Sequence, residues 1–184
     1  MKKTPSVVVP LAPGFEEIEA MTIIDVLRRA GHDAFIAGTV AGPIQGAHGV
    51  TVTPDGHIED VDPSALKMVV LPGGLPGATN LRDCPAVIEL LRKVHAAGGI
   101  AAAMCAAPMA LGKAGLAAGR KVTCYPGFEE HLTGGTCVTD RVVADDRVIT
   151  SRGPGTALEF ALALVAHLGA PDTAKALHEG MLVK

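Results

Sequence analysis

With 184 residues, 48% of them apolar and 19% charged, the chain suits one domain, residues 1–184, with a full hydrophobic core, and it is too apolar to stay disordered. Its formal net charge of -3 leaves no electrostatic footprint for nucleic acid or an anionic membrane as partner. Aromatic residues at 3%, with no Trp, argue against stacking of single-stranded bases.

The start, Met1 to Val9, imitates a secretory leader, with two lysines ahead of a short apolar run. Pro10 and Pro13 interrupt that run and Glu16 and Glu17 follow it, so it is not expected to act as one. Val7 to Val9 reads as a buried strand. Glu16 to Ala30 reads as a helix with Ile18, Met21, Ile24, Val26 and Leu27 on its apolar side and Gly31 just past its end. Ala34 to Ala37 is a second strand, and Ile44 to Thr53 holds two short runs around Gly46 and Gly49, a hairpin off one edge. Met68 to Leu71 is a strand stopped by Pro72-Gly73-Gly74. Pro85 to Ala97 is an amphipathic helix opened by proline. Ile100 to Met104 is a strand, and Ala107 to Ala114 the helix after it. Lys121 to Cys124 is extended, Arg141 to Ala144 and Arg147 to Thr150 form a hairpin around Asp145-Asp146, and helices follow from Thr156 to Leu168 and from about Asp172 to His178. No run approaches the roughly 18 apolar residues of a membrane span.

Uniformly apolar strands alternating with helices predict a mostly parallel sheet covered on both faces, a three-layer α/β/α sandwich with an elaborating hairpin. Sites in such sheets lie beyond the carboxyl ends of the strands. The loops 10–19, 72–77 and 104–108 are therefore expected to converge.

The loop at 104–108 carries Ala103-Met104-Cys105-Ala106-Ala107, the small-x-nucleophile-x-small spacing of a nucleophile elbow. The helix that follows aims its N-terminus at the thiol, which is expected to lower its pKa. A Cys in an apolar run also fits a small buried hydrophobe, and the residues alone leave both readings open. Gly73 and Gly74 free backbone N–H groups that, with the Ala106 amide, suit an oxyanion hole. An ordinary strand-to-loop turn explains them equally. Glu16 and Glu17 suit the helix dipole. Glu19 is placed to turn toward the sheet end, where a carboxyl beside a thiolate should be raised in pKa and protonated.

Of the 7 histidines, none adjoins Cys105 and no pair has zinc-ligand spacing. His48, in the Gly46 to Gly49 turn, is the one candidate for the pocket, against the plainer reading of an exposed turn residue. The 4 cysteines, Cys84, Cys105, Cys124 and Cys137, show no C-x-x-C pair. In a domain this apolar they do not look like a disulfide framework, and a reducing, cytoplasmic setting is expected.

Four segments now bear comparison with a known family: residues 11–19 (LAPGFEEIE), 71–74 (LPGG), 102–108 (AAMCAAP) and 150–156 (TSRGPGT). They resemble the ThiJ/PfpI superfamily, in the branch that holds the parkinsonism-associated protein deglycase and bacterial YajL, over nearly the whole chain. The resemblance implies a flavodoxin-like fold and a homodimer. It implies a reactive cysteine matching Cys105, a protonated glutamate matching Glu19, and backbone donors matching Gly73, Gly74 and Ala106. The partner's Arg29 and the Gly153-Pro154 turn would wall the pocket. Some members carry a histidine where Tyr125 stands here; a phenol is a poor base at neutral pH but suits orienting a substrate oxygen. The peptidase branch places a histidine directly after the cysteine, where this chain has Ala106, which argues against proteolysis. His48 stands where some relatives carry an arginine.

The implied activity is glyoxalase or deglycase chemistry on α-oxoaldehydes, small reactive carbonyls such as methylglyoxal and glyoxal, without glutathione, metal or organic cofactor. The rival is a redox-sensing stress protein or chaperone that uses an oxidisable Cys105 without turnover.

Overall fold

The computed structural model describes residues 3–184; Met1 and Lys2, at the leader-like start, lie outside the described residues. In chain order the elements are β1 (Val7–Leu11), α1 (Glu17–Arg29), β2 (Ala34–Gly38), β3 (Ile44–Gln45), β4 (Thr51–Val52), β5 (Gly56–His57) and β6 (Met68–Leu71). There follow α2 (Gly77–Asp83), α3 (Pro85–Ala96), β7 (Ile100–Met104), α4 (Pro108–Ala114), β8 (Lys121–Val122), β9 (Thr136–Cys137), β10 (Val142–Asp145), β11 (Val148–Ser151), α5 (Ala157–His167) and α6 (Pro171–Gly180). Among the described residues the main sheet has seven strands in the order β10-β11-β7-β6-β1-β2-β5. Every pairing is parallel except the β10–β11 hairpin.

The apolar runs explain this arrangement. All residues of β1, β2, β6, β7 and β11 are buried, as strands must be when helices cover both faces. On one side α1 packs on α5 and α5 on α6; α2, α3 and α4 pack on one another. The result is the expected mostly parallel α/β/α sandwich of flavodoxin-like type. The chain leaves β1 toward β2 and later returns to β6 on its other side, so the β1–β6 boundary is where the strand order reverses, the usual place for a site in such sheets.

α1 illustrates how local chemistry sets an element. The Glu16 carboxylate caps it by accepting the Glu19 amide at 2.7 Å, Glu17 and Glu19 sit in its first turn, and Arg28 and Arg29 in its last. Each charge complements the helix dipole. No helix among the described residues is long and apolar enough to cross a membrane.

Ile18, read on the apolar side of the first helix, is instead exposed, and Ala20 and Ile23 take that side with Ile24, Val26 and Leu27; three further details depart from the sequence expectations. α2 occupies part of what reads as a loop, because Gly77 opens it and no side chain caps it, so the usual start signal is missing. β5 is two residues long, too short to leave a pattern. The β3–β4 hairpin is a separate two-stranded sheet and does not extend an edge. It lies over the β1–α1 loop, where Gly14 N–H donates to Gln45 O at 2.9 Å and Ala47 N–H to Phe15 O at 2.8 Å.

The helix layer on the α1 side depends on apolar burial. Phe160 on α5 is fully buried, so Phe160→Ala should cost about 3–5 kcal/mol. Chemical denaturation checks it, with a lower midpoint and an unchanged slope.

Candidate active site

The three loops expected to converge do meet. Cys105 follows β7 directly, with φ 60, a left-handed conformation that costs a non-glycine residue about 1–3 kcal/mol unless its surroundings hold it. They do so from two sides: Cys105 N–H donates to Ser151 O at 3.0 Å and Cys105 O accepts from Tyr125 N–H at 2.8 Å. Cys105 keeps 8% of its surface exposed while Met104 and Ala107 keep none, so the elbow presents its residue at the end of the sheet.

Glu19 reaches the same point from the first turn of α1. It is completely buried, and its Oε2 accepts the Gly73 amide at 2.7 Å. Oε1 is buried and finds no partner of hydrogen-bond geometry, yet the carboxyl and the Cys105 thiol lie close enough to perturb each other's titration. Gly73 is wedged between them. A Cβ there would stand 2.7 Å from Cys105 Cβ, 2.9 Å from Glu19 Oε2 and 3.1 Å from the Ala106 nitrogen. Gly74 has φ 89, and a Cβ on it would collide with the backbone of Phe15 and Glu16.

The amides of Gly74 and Ala106 both point at the Cys105 sulfur. Gly73 does not join them: its N–H is committed to Glu19, so of the three donors read from sequence, Gly73 serves the acid and the other two serve the thiol.

Burial is the largest influence on both titrating groups. It pushes Glu19 up to about 7, against the bond from Gly73 and the interaction with Cys105, with Glu16's charge adding to the rise. The thiol is pushed up to about 12 by burial, then by the charge and proximity of the Glu19 carboxyl, with the Gly74 and Ala106 amides opposing. This reverses the sequence expectation of a lowered thiol pKa, which counted the helix-end amides and not the loss of water. The two groups share protons: the pair gives up one near neutrality and resists losing the second, because two adjacent anions would then share a dry site. The first proton to leave is that of Glu19, raised only to about 7, while the thiol at about 12 holds its own, and the Gly74 and Ala106 amides lower the cost of charge on sulfur.

The profile of the DJ-1/PfpI family matches residues 5–167. The chain belongs to the DJ-1/PfpI family. The crystal structure of Drosophila melanogaster DJ-1beta is similar over 99% of this chain and 100% of that one, with a TM-score of 0.93 and 39% identity. The Caenorhabditis elegans protein named glutathione-independent glyoxalase DJR-1.2 is 40% identical over 164 residues, 88% of this chain and 87% of that protein. Arabidopsis thaliana DJ-1 homolog A is 39% identical over 98% of this chain, which spans only 47% of that relative's length.

In this DJ-1/PfpI chain the remaining candidates are placed less centrally. The Tyr125 side chain is half exposed. Its ring meets Phe128 edge-on, with centroids 6.4 Å apart, and lies against Gly153, where a Cβ would come within 3.2 Å of the ring. Pro154 opens the short turn Pro154–Thr156. His48 bonds to Glu17, with Nδ1 at 2.9 Å from Oε2, and not to the thiol. Arg29 ends α1 and pairs with Asp25 at 2.6 Å, roughly 15 Å along the helix from Glu19, so one chain alone does not bring it to Cys105.

One residue of the site's frame escaped the sequence reading. Ser151 supplies the carbonyl behind Cys105, and its hydroxyl bonds to Arg141 O at 2.7 Å and Thr156 Oγ1 at 2.6 Å. The 150–156 motif was the available signal, read there only as family resemblance. Clefts of 310–470 Å³ elsewhere on the surface contain neither Cys105 nor Glu19. Converging polar groups mark the site.

The shared proton gives a measurable signature. The rate of alkylation of Cys105 by iodoacetamide, followed by mass spectrometry, should show a step near pH 7, where the pair loses its first proton, and a further rise toward the second ionisation. In Glu19→Gln the step near 7 should vanish, and the single remaining thiol should ionise below 12, because the repelling charge is gone.

Proposed function

We propose that this chain is a cysteine-dependent enzyme that converts α-oxoaldehydes, methylglyoxal and glyoxal foremost, to 2-hydroxy acids without glutathione, and acts by the same chemistry on their adducts. One observation carries the reading: a fully buried Glu19, raised to about 7 and with an unengaged oxygen, beside a strained-turn Cys105. A relative named as a glutathione-independent glyoxalase points the same way.

The reaction follows from the residues. Sulfur attacks the aldehyde carbon, forming a C–S bond and an alkoxide. The Gly74 and Ala106 amides meet that oxygen as it turns away from the sulfur. Glu19 gives its proton to the alkoxide and, now a carboxylate, removes the hydrogen on the same carbon and returns it to the adjacent one, while the hydroxyl proton passes from the first oxygen to the neighbouring ketone oxygen. The hemithioacetal becomes a 2-hydroxyacyl thioester of Cys105. Water then cleaves the C–S bond, releasing lactate from methylglyoxal or glycolate from glyoxal and restoring the thiol and acid. Gly73 holds Oε2 by its amide and leaves Oε1 to carry the proton.

A second reading rests on the same two amides. Oxidation of Cys105 by peroxide, which is reduced to water, places oxygens on the sulfur, and the Gly74 and Ala106 N–H groups together with the Glu19 proton suit a sulfinate. In that reading the chain senses oxidants. Incubation with methylglyoxal, with lactate measured over time, separates the two. Lactate forming in the wild type and falling to background in Cys105→Ser supports the enzyme. No lactate, with rapid conversion of Cys105 to sulfinate at low peroxide, supports the sensor.

We also assign a homodimer. Ile18, Val50 and Leu75 are large apolar side chains, 59%, 52% and 53% exposed, and each lies within two positions of a residue of the site region (Glu19, His48, Gly74). Docking a second copy over them would remove this apolar surface from water. Light scattering should give twice the chain mass, and Ile18→Glu should shift it toward the monomer.

A further inference from the structure

All four cysteines are free thiols, and the proposed reaction uses only Cys105. Two of the others meet in the small β8–β9 sheet. Its strands run parallel, with Lys121 opposite Thr136 and Val122 opposite Cys137. Side chains alternate along an extended chain, so Cys124, two positions past Val122, faces the side shared by Val122 and its partner Cys137. Val122 and Cys124 are buried, and Cys137, at the rim, is exposed.

Both sulfurs close on the turn between these strands, at consecutive residues. The Phe128 amide donates to the Cys124 sulfur, and the Cys137 thiol donates to Glu129 O at 3.9 Å. The charge of Glu129 acts on both thiols, and charge on Cys137 acts on Cys124, with Arg152 opposing there. Diagonal neighbours on paired strands stand about 7–8 Å apart, and a disulfide joins Cα atoms up to about 6.8 Å apart. An approach of roughly 1 Å therefore closes the gap. β9 is free to supply it: both its residues are exposed, and among the described residues no strand pairs with its other edge.

We propose that Cys124 and Cys137 form a reversible disulfide when the chain meets hydrogen peroxide, a redox pair distinct from Cys105. The exposed Cys137 reacts first. Its sulfur attacks one peroxide oxygen, the O–O bond breaks, and the departing hydroxide takes up the thiol proton as water, leaving a sulfenic acid. The Cys124 sulfur then attacks the Cys137 sulfur. The S–S bond forms, the S–O bond breaks, and the departing hydroxide takes the Cys124 proton as a second water. Two thiols are oxidised and one peroxide is reduced to two waters. Proximity drives the second step, since burial holds Cys124 far above the usual thiol range. The pair gives the chain an oxidant response whether Cys105 turns over substrate or not.

The test uses the full chain carrying Cys84→Ser and Cys105→Ser, so that only these two thiols remain. After equimolar peroxide at mildly alkaline pH, then denaturation and iodoacetamide, intact mass should show a chain lighter by two hydrogens with neither cysteine alkylated. A peptide map should show Cys124 joined to Cys137, and dithiothreitol should restore both thiols. Adding Cys124→Ser should stop the reaction at a Cys137 sulfenic acid, which dimedone traps. Because a disordered chain also forms disulfides, the rate is compared with and without urea, and the folded chain should close the bond at least about tenfold faster. Equal rates, Cys137 passing to sulfinate while Cys124 stays alkylatable, or disulfides only between chains would each overturn the assignment.

Discussion

The bond from the Gly73 amide to Glu19 Oε2, at 2.7 Å across 54 positions of sequence, is the contact on which the rest of the site hangs. It fixes the acid from α1 against the end of β6, and β6 lies beside β7, whose end carries the thiol. Without it a fully buried carboxyl would have no donor at all, since its other oxygen has none, and an unpaired buried carboxyl is among the costlier defects a core can hold. The neighbouring glycines follow from this contact: position 73 has no room for a side chain between sulfur and carboxyl, and position 74 none against the backbone of the β1–α1 loop.

Burial sets a tension that the site resolves by sharing a proton. Removing water from a carboxyl and a thiol together disfavours charge on both, and two charges most of all. One proton lost near neutrality is the compromise, and the amides of Gly74 and Ala106 decide which partner benefits from the charge. A helix N-terminus without desolvation would have made Cys105 a simple low-pKa thiol. Desolvation makes it one whose ionisation depends on Glu19, so nucleophile and acid act as a single unit.

Much of this was legible beforehand, for reasons particular residues make plain. The apolar runs at Val7–Leu11, Met68–Leu71 and Ile100–Met104 announce central strands because burial on both faces permits no polar alternation. Cys105 and Glu19 could be paired because both stand just beyond strand ends. The helix at Gly77–Asp83 was not legible, since glycine at its start and an uncapped Pro76 remove the usual signal. The division of labour between Gly73 and Gly74 was also hidden: adjacent glycines look alike in sequence, and only the direction of each N–H tells them apart. The contact between His48 and Glu17 was hidden too, because 31 positions separate them.

The clamp on the Cys105 backbone has a consequence for the order in which the molecule matures. Its carbonyl is held from Tyr125 and its amide from Ser151, both later in the chain. During synthesis the segment around Met104 emerges well before β11 exists to dock beside β7. Until then neither of these bonds is there to offset the left-handed turn. The strand made last thus completes the support of the turn that presents the thiol.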